Sequence, residues 1–217
     1  TLLSTKFYIP PTRLGLVNRP RLTGRLDIAL ERKLTMISAP AGFGKTTLVS
    51  EWLRQLRHPV AWLSLDKGDN DPDRFWAHVI AALRSIPCLG EAGVGASAWS
   101  MLQSPQPPPI EAILVTLING LSGFPEPLVL LLDDYQVITA QAIHQALGFF
   151  LVLPERLEHP GLELVDVEND ARSGRQVEEG AAVLAGLGHE QVAAATRDEP
   201  PSAPTSPPAT KVGSAPS

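Results

Sequence analysis

The chain has 217 residues, 44% of them hydrophobic, enough for one well-packed domain plus a remainder. Its 18 basic and 23 acidic side chains leave a net charge of -5, so no global basic field is available for nucleic acid. A single cysteine, Cys88, excludes an internal disulfide and fits a reducing compartment. The longest apolar run falls far short of the roughly 20 residues a membrane-spanning helix needs, and no N-terminal stretch reads as a secretion signal. A cytoplasmic location is therefore expected. Residue 1 is Thr, so an upstream start is expected as well.

Residues 1–33 read as a lead-in. Pro10-Pro11 and the basic string Arg13, Arg19, Arg21 and Arg25 precede Leu22, Leu26 and Leu30, whose spacing predicts a short amphipathic helix. The segment Val17-Asn-Arg19-Pro20 reads either as a wall against an adenine base or as a solvated basic lead-in, and Arg19 is counted as a candidate nucleotide-binding residue.

The next stretch carries the chemistry. An apolar run through Leu34, Met36 and Ile37 leads into Ala39-Pro-Ala-Gly-Phe-Gly-Lys45-Thr46, and a helical pattern of Leu48, Val49, Trp52, Leu53 and Leu56 follows. Strand, glycine loop and helix is the setting of a phosphate-binding P-loop. Gly42 and Gly44 allow backbone N–H groups to turn inward around phosphate oxygens, and the helix presents its positive end to the same anion. Lys45 is expected to reach the β- and γ-phosphates and to serve catalysis, and Thr46 to bind Mg²⁺. Ala39, Pro40, Ala41, Gly42, Phe43, Gly44, Lys45, Thr46 and Thr47 form the predicted cradle. Ala39 stands where the motif has its first glycine.

Val60-Ala-Trp62-Leu-Ser-Leu65 predicts a second strand ending at Asp66, which could assist Mg²⁺ or water. Asp69-Asn-Asp-Pro-Asp73-Arg-Phe-Trp76 reads as an acidic turn that caps a helix through Ala81, Leu83 and Ile86. It lacks the glycine and the distant glutamate of a calcium loop. Cys88 sits in a loop-like Pro-Cys-Leu-Gly stretch and reads as an inert thiol, and Leu89 to Pro109, rich in Gly, Ala, Ser and Pro, reads as a surface connection. Helical periodicity returns from Ile110 to Leu121. Leu128-Val-Leu-Leu-Leu132-Asp133-Asp134 then predicts a strand buried on both faces and ending in two carboxylates. Asp133 is expected to hold the Mg²⁺ shell, and Asp134 to orient or deprotonate an attacking water. A last helix is predicted from about Ala140 to Leu151.

The expected fold is α/β: a P-loop NTPase with a parallel sheet flanked by helices, incomplete at its C-terminal side, with its core at 34–157. Residues 158–217 are expected to be a disordered tail, because the stretch from Glu199 is mainly Pro, Ser, Ala and Thr and offers little apolar surface.

Several further strings, in order, resemble a known family. They are Leu3-Ser-Thr-Lys-Phe7-Tyr-Ile-Pro10, Val17-Asn-Arg-Pro-Arg-Leu22, the P-loop, Trp62-Leu-Ser-Leu-Asp66, Asp69-Asn-Asp-Pro72, Arg74-Phe-Trp76, Leu102-Gln-Ser-Pro-Gln-Pro-Pro-Pro109 and Leu132-Asp-Asp-Tyr135. On these, about the first 155 residues resemble the N-terminal P-loop ATPase module of large LuxR-family, MalT-type transcription regulators, which belong to the NACHT-like STAND signal-transduction ATPases. The resemblance implies ATP/ADP and Mg²⁺ as cofactors. It also implies slow ATP hydrolysis that resets a switch, and self-association set by nucleotide and inducer. DNA would be bound only through a C-terminal helix-turn-helix absent from these residues, and no membrane partner is implied. The family's next strand ends in Thr-Arg or Ser-Arg before acid and Pro-Pro. Here the similar Ala195-Thr-Arg197-Asp-Glu-Pro-Pro201 comes some forty residues late, so an insertion or a slipped reading frame near Glu158 is expected, and Arg197 is a weak candidate for the sensor arginine. A stand-alone P-loop ATPase and a nucleotide-binding scaffold without turnover are the competing readings.

Overall fold

The computed structural model describes residues 3–11, 19–30, 32–124, 128–152, 162–166 and 179–187. Helix α1 (Pro20–Ala29) begins with proline at its first position, where the missing N–H costs nothing. It is followed by strand β1 (Leu34–Pro40), helix α2 (Lys45–Leu53), strand β2 (Val60–Ser64) and helix α3 (Pro72–Arg84). Helices α4 (Pro87–Glu91), α5 (Ala96–Leu102) and α6 (Ile110–Ser122) lead to strand β3 (Leu128–Asp133), helix α7 (Gln141–Val152), and strands β4 (Leu162–Asp166) and β5 (Glu179–Leu187).

The strands form one sheet in the order β2-β3-β5-β1-β4. β2 pairs with β3 in parallel, as β1 does with β4, whereas β5 runs antiparallel to both β3 and β1. The α/β architecture is as expected. Two details differ: the sheet is mixed, and β4 and β5 lie within residues 158–217, where the sequence predicts a tail. The run Glu179-Gly-Ala-Ala-Val-Leu-Ala-Gly-Leu187 carries little β-branched or aromatic signal, so its strand role depends on the register it keeps with β1 and β3. Residues 188–217 lie outside the described residues.

Alternation along the strands divides the interior in two. Ala61, Leu63, Leu128, Leu130 and Leu132 face a large core with α3, α5, α6 and α7. Trp62, Val129, Leu131, Ile37 and Ala39 face a smaller core with α1 and α2. Adjacent residues on one strand point to opposite faces, so a strand covered by helices on both sides must be apolar throughout. All six residues of β3 are accordingly buried.

The stretch from Leu89 to Pro109 corrects its sequence reading. It contains the end of α4 and all of α5, and Leu89, Ala98 and Leu102 are buried in the larger core. Pro87 starts α4, and Gly95, at φ 77°, turns the chain into α5. The glycines and prolines that suggested a loop are the boundaries of two short helices. Cys88 lies in α4 with its side chain exposed.

Candidate functional site

The predicted phosphate loop leaves β1 through Ala39 and Pro40, both buried, and turns at the exposed Ala41 and Gly42. Gly42 and Gly44 have φ of 83° and 80°, a region where a side chain is strained, so both glycines are required by backbone geometry. Ala39 sits in the regular strand, only 1% exposed, against the smaller core. This is why alanine serves where the motif has its first glycine. Phe43 is partly buried on the same core. α2 starts at Lys45, its first helical bond running from the Leu48 N–H to the Gly44 carbonyl at 2.8 Å.

Lys45 folds back over the loop, donating to the Ala39 and Pro40 carbonyls at 2.7 and 3.3 Å. The Thr46 hydroxyl donates to the carboxylate of Asp133, with both oxygens at 3.1 Å, joining residues 87 positions apart in the chain. Thr47 is exposed on the first turn of α2. Arg19, at the head of α1, donates from Nη1 to the Phe43 carbonyl at 3.2 Å, so the lead-in touches this loop. Val17 and Asn18 lie outside the described residues, as does Arg197.

Asp133 is 6% exposed, and its pKa is raised, first by burial and then by the neighbouring Asp134. The Thr46 hydroxyl, the Asp134 N–H and the Lys45 charge offset this only in part, and a cation beside the carboxylate would favour its charged form further. Asp134, exposed, adopts φ 58°, the left-handed conformation that aspartate tolerates better than most residues. Gln136 donates from Nε2 to the Asp134 carboxylate at 2.9 Å. Behind them the Tyr135 hydroxyl meets His144 Nδ1 at 2.7 Å, and burial pushes the phenol pKa up to about 12.

Asp66 does not join this group. Its carboxylate is held by Lys6 at 2.8 Å and accepts from the Gly68 N–H at 2.7 Å. The Lys6 hydrogen bond leads in holding its pKa below the usual carboxylate value. The acidic turn does cap, as expected: Asp71 accepts from the Arg74 N–H at 2.8 Å at the start of α3. Asp69 behaves differently. It is fully buried, bonded to Lys6 and to His78 Nδ1, the latter at 2.8 Å. Lys6, Asn70, Gln136 and His144 are contributors that residue-by-residue reading did not single out, since each works through a contact distant in sequence or across a turn.

No family model matches the chain. Curated relatives do. The HTH-type transcriptional regulator MalT of Cronobacter sakazakii (strain ATCC BAA-894) is 38% identical over 150 residues, covering 69% of this chain and 16% of that protein. The proteins of the same description from Serratia proteamaculans (strain 568) and Yersinia enterocolitica are 37% and 36% identical over the same length. The chain carries an N-terminal MalT-like module. It spans about 16% of the length of these relatives. Among the described residues of the MalT-like module, no helix is long and apolar enough to cross a membrane.

Proposed function

We propose that this MalT-like module is an ATP/ADP-dependent switch of a transcription regulator. The observation that carries the reading is the bond between Thr46 and Asp133, which unites the P-loop with the carboxylate at the end of β3. A hydroxyl and a buried carboxylate meeting at a helix N-terminus form the donor set suited to Mg²⁺ with a nucleotide phosphate. The positive φ at Gly42 and Gly44 and the burial of Asp133, which raises its pKa despite the Thr46 bond, fit that pair of ligands.

In this reading the backbone N–H groups from Gly42 to Thr46 and the Lys45 ammonium bind the phosphates, Thr46 and Asp133 hold the metal, and Arg19 sets the loop from behind. The bound metal supplies neutralisation of phosphate charge. Asp134, steadied by Gln136, orients or deprotonates water for slow hydrolysis. In the complete regulator, the nucleotide state would govern self-association, and DNA would be bound by a domain outside these residues.

Titration of a fluorescent ATP analogue with and without Mg²⁺ tests the site. Wild type should bind in a Mg²⁺-dependent way, and Lys45→Ala should lose at least about tenfold in affinity, since a charge-assisted phosphate bond is worth roughly 1.5–3 kcal/mol. Normal binding by Lys45→Ala would remove the site assignment. Mg²⁺-dependent phosphate release separates a switch that turns over from a scaffold that only binds.

A further inference from the structure

We infer that Asn70 is a positioning residue for the loop that follows Asp133 and Asp134, and that Lys6, through Asp69, sets where Asn70 stands. The inference rests on the nucleotide-switch reading and adds to it a way for the N-terminal segment to act on the site.

Asp69 and Asn70 are adjacent in a 3-10 turn, Lys67–Asn70, after β2, and their side chains serve opposite partners. Asp69 is fully buried and over-determined. It takes a bond from Lys6, bonds to His78 Nδ1 at 2.8 Å, accepts from the Asp66 N–H at 2.8 Å, and pairs with Arg74 Nε at 3.4 Å. Lys6 comes from a 3-10 turn near the N-terminus, Ser4–Phe7, and is itself only 7% exposed. The backbone at residue 69 is thereby fastened to the N-terminal segment.

Asn70 reaches the other way. Its Nδ2 donates to the Val137 carbonyl at 2.7 Å and to the Lys67 carbonyl at 3.2 Å. Its Oδ1 accepts from the Thr139 N–H at 2.6 Å, the Ala140 N–H at 3.1 Å and the Thr139 hydroxyl at 3.1 Å. Val137 to Ala140 is the chain between the left-handed Asp134 and the start of α7. Within it, the Val137 N–H returns to the Asp134 carbonyl at 3.1 Å and the Ile138 N–H to the Tyr135 carbonyl at 3.0 Å. A short path thus runs from Lys6 to Asp69 by an ion pair, along the backbone to Asn70, and by hydrogen bonds through Val137 to Asp134.

The bonding pattern demands an amide. One side must donate to a carbonyl and the other accept from two N–H groups, and both must sit in one small planar group. Aspartate keeps the accepting side but sets a carboxylate oxygen against the Val137 carbonyl. Alanine leaves the two loop N–H groups without their acceptor.

Hydrogen exchange on the whole chain without nucleotide, followed by ATP binding and phosphate release, tests this. Asn70→Asp, Asn70→Ala and Lys6→Met should speed exchange at the Thr139 and Ala140 amides by about ten- to a hundredfold, the two Asn70 variants more strongly, while Phe75–Leu83 in α3 stays protected. Gly90→Ala, destabilised at a remote position, controls for general loosening. The relay is overturned if Lys6→Met leaves Thr139 and Ala140 unchanged, or if Gly90→Ala opens them equally. With ATP, Asn70→Asp should bind within about threefold of wild type but release phosphate about tenfold more slowly; unchanged release removes the positioning role. Should wild type not bind ATP at all, the switch reading falls, while exchange still decides whether Lys6 and Asn70 hold the loop.

Discussion

Lys6→Met isolates the buried ion pair that fastens the N-terminal segment. The substitution keeps the apolar stem and removes the charge. Lys6 and Asp69 have side chains 8% and 0% exposed, so the carboxylate left behind cannot recover its loss from water. Breaking such a pair from one side generally costs about 3–5 kcal/mol. Asp69 retains His78, the Asp66 N–H and Arg74 Nε at 3.4 Å, which places the expected loss near the lower end, about 3 kcal/mol. For a domain of this size that is a fall of roughly 6–12 °C in Tm. Asp69→Asn should cost less, because Lys6 keeps Asp66 at 2.8 Å. Urea unfolding followed by the fluorescence of the buried Trp62 and Trp76, run as a double-mutant cycle, should give a coupling of about 1–3 kcal/mol. A loss below about 1 kcal/mol for Lys6→Met, with no coupling, would show the pair to behave as a solvated surface contact and refute the reasoning.

Asp133→Asn should bind Mg²⁺-nucleotide poorly yet stabilise the fold by roughly 0.5–2 kcal/mol at neutral pH, the trade-off common at functional sites. The sign follows from the raised pKa: the stability tied to the protonated carboxyl is fully present below the unfolded value and is lost as pH rises through the folded one. The gap between variant and wild type should therefore open from about pH 4 upward, and thermal melts showing it widest in acid would contradict the burial argument. Gly90→Ala should cost about 1–3 kcal/mol, because a Cβ there would stand 2.8 Å from the Arg84 carbonyl oxygen. A neutral result in chemical denaturation would mean that the turn between α3 and α4 yields more readily than its packing indicates.

Much of the candidate site's geometry is legible in the sequence because its parts are local. Gly42 and Gly44 are needed for the turn they occupy, Lys45 and Thr46 follow at fixed offsets on the helix, and the apolar run into Asp133 announces a strand covered on both faces. Short-range sterics and hydrophobic periodicity act within a few residues, so the sequence by itself determined these elements and their order. The partners of Asp69 and Asn70 were not legible: Lys6 lies 63 positions away and Val137 lies 67. An acidic turn looks the same in sequence whether its carboxylates cap a helix, as Asp71 does, or are buried against a distant lysine, as Asp69 is. The small-residue run from Glu179 to Leu187 likewise shows no strand signal, and its place depends on the free edges that β1 and β3 present to each other. Local chemistry chose the elements, and only the tertiary structure decided which buried charges meet, because a long-range pair is selected by desolvation once the chain has closed around it.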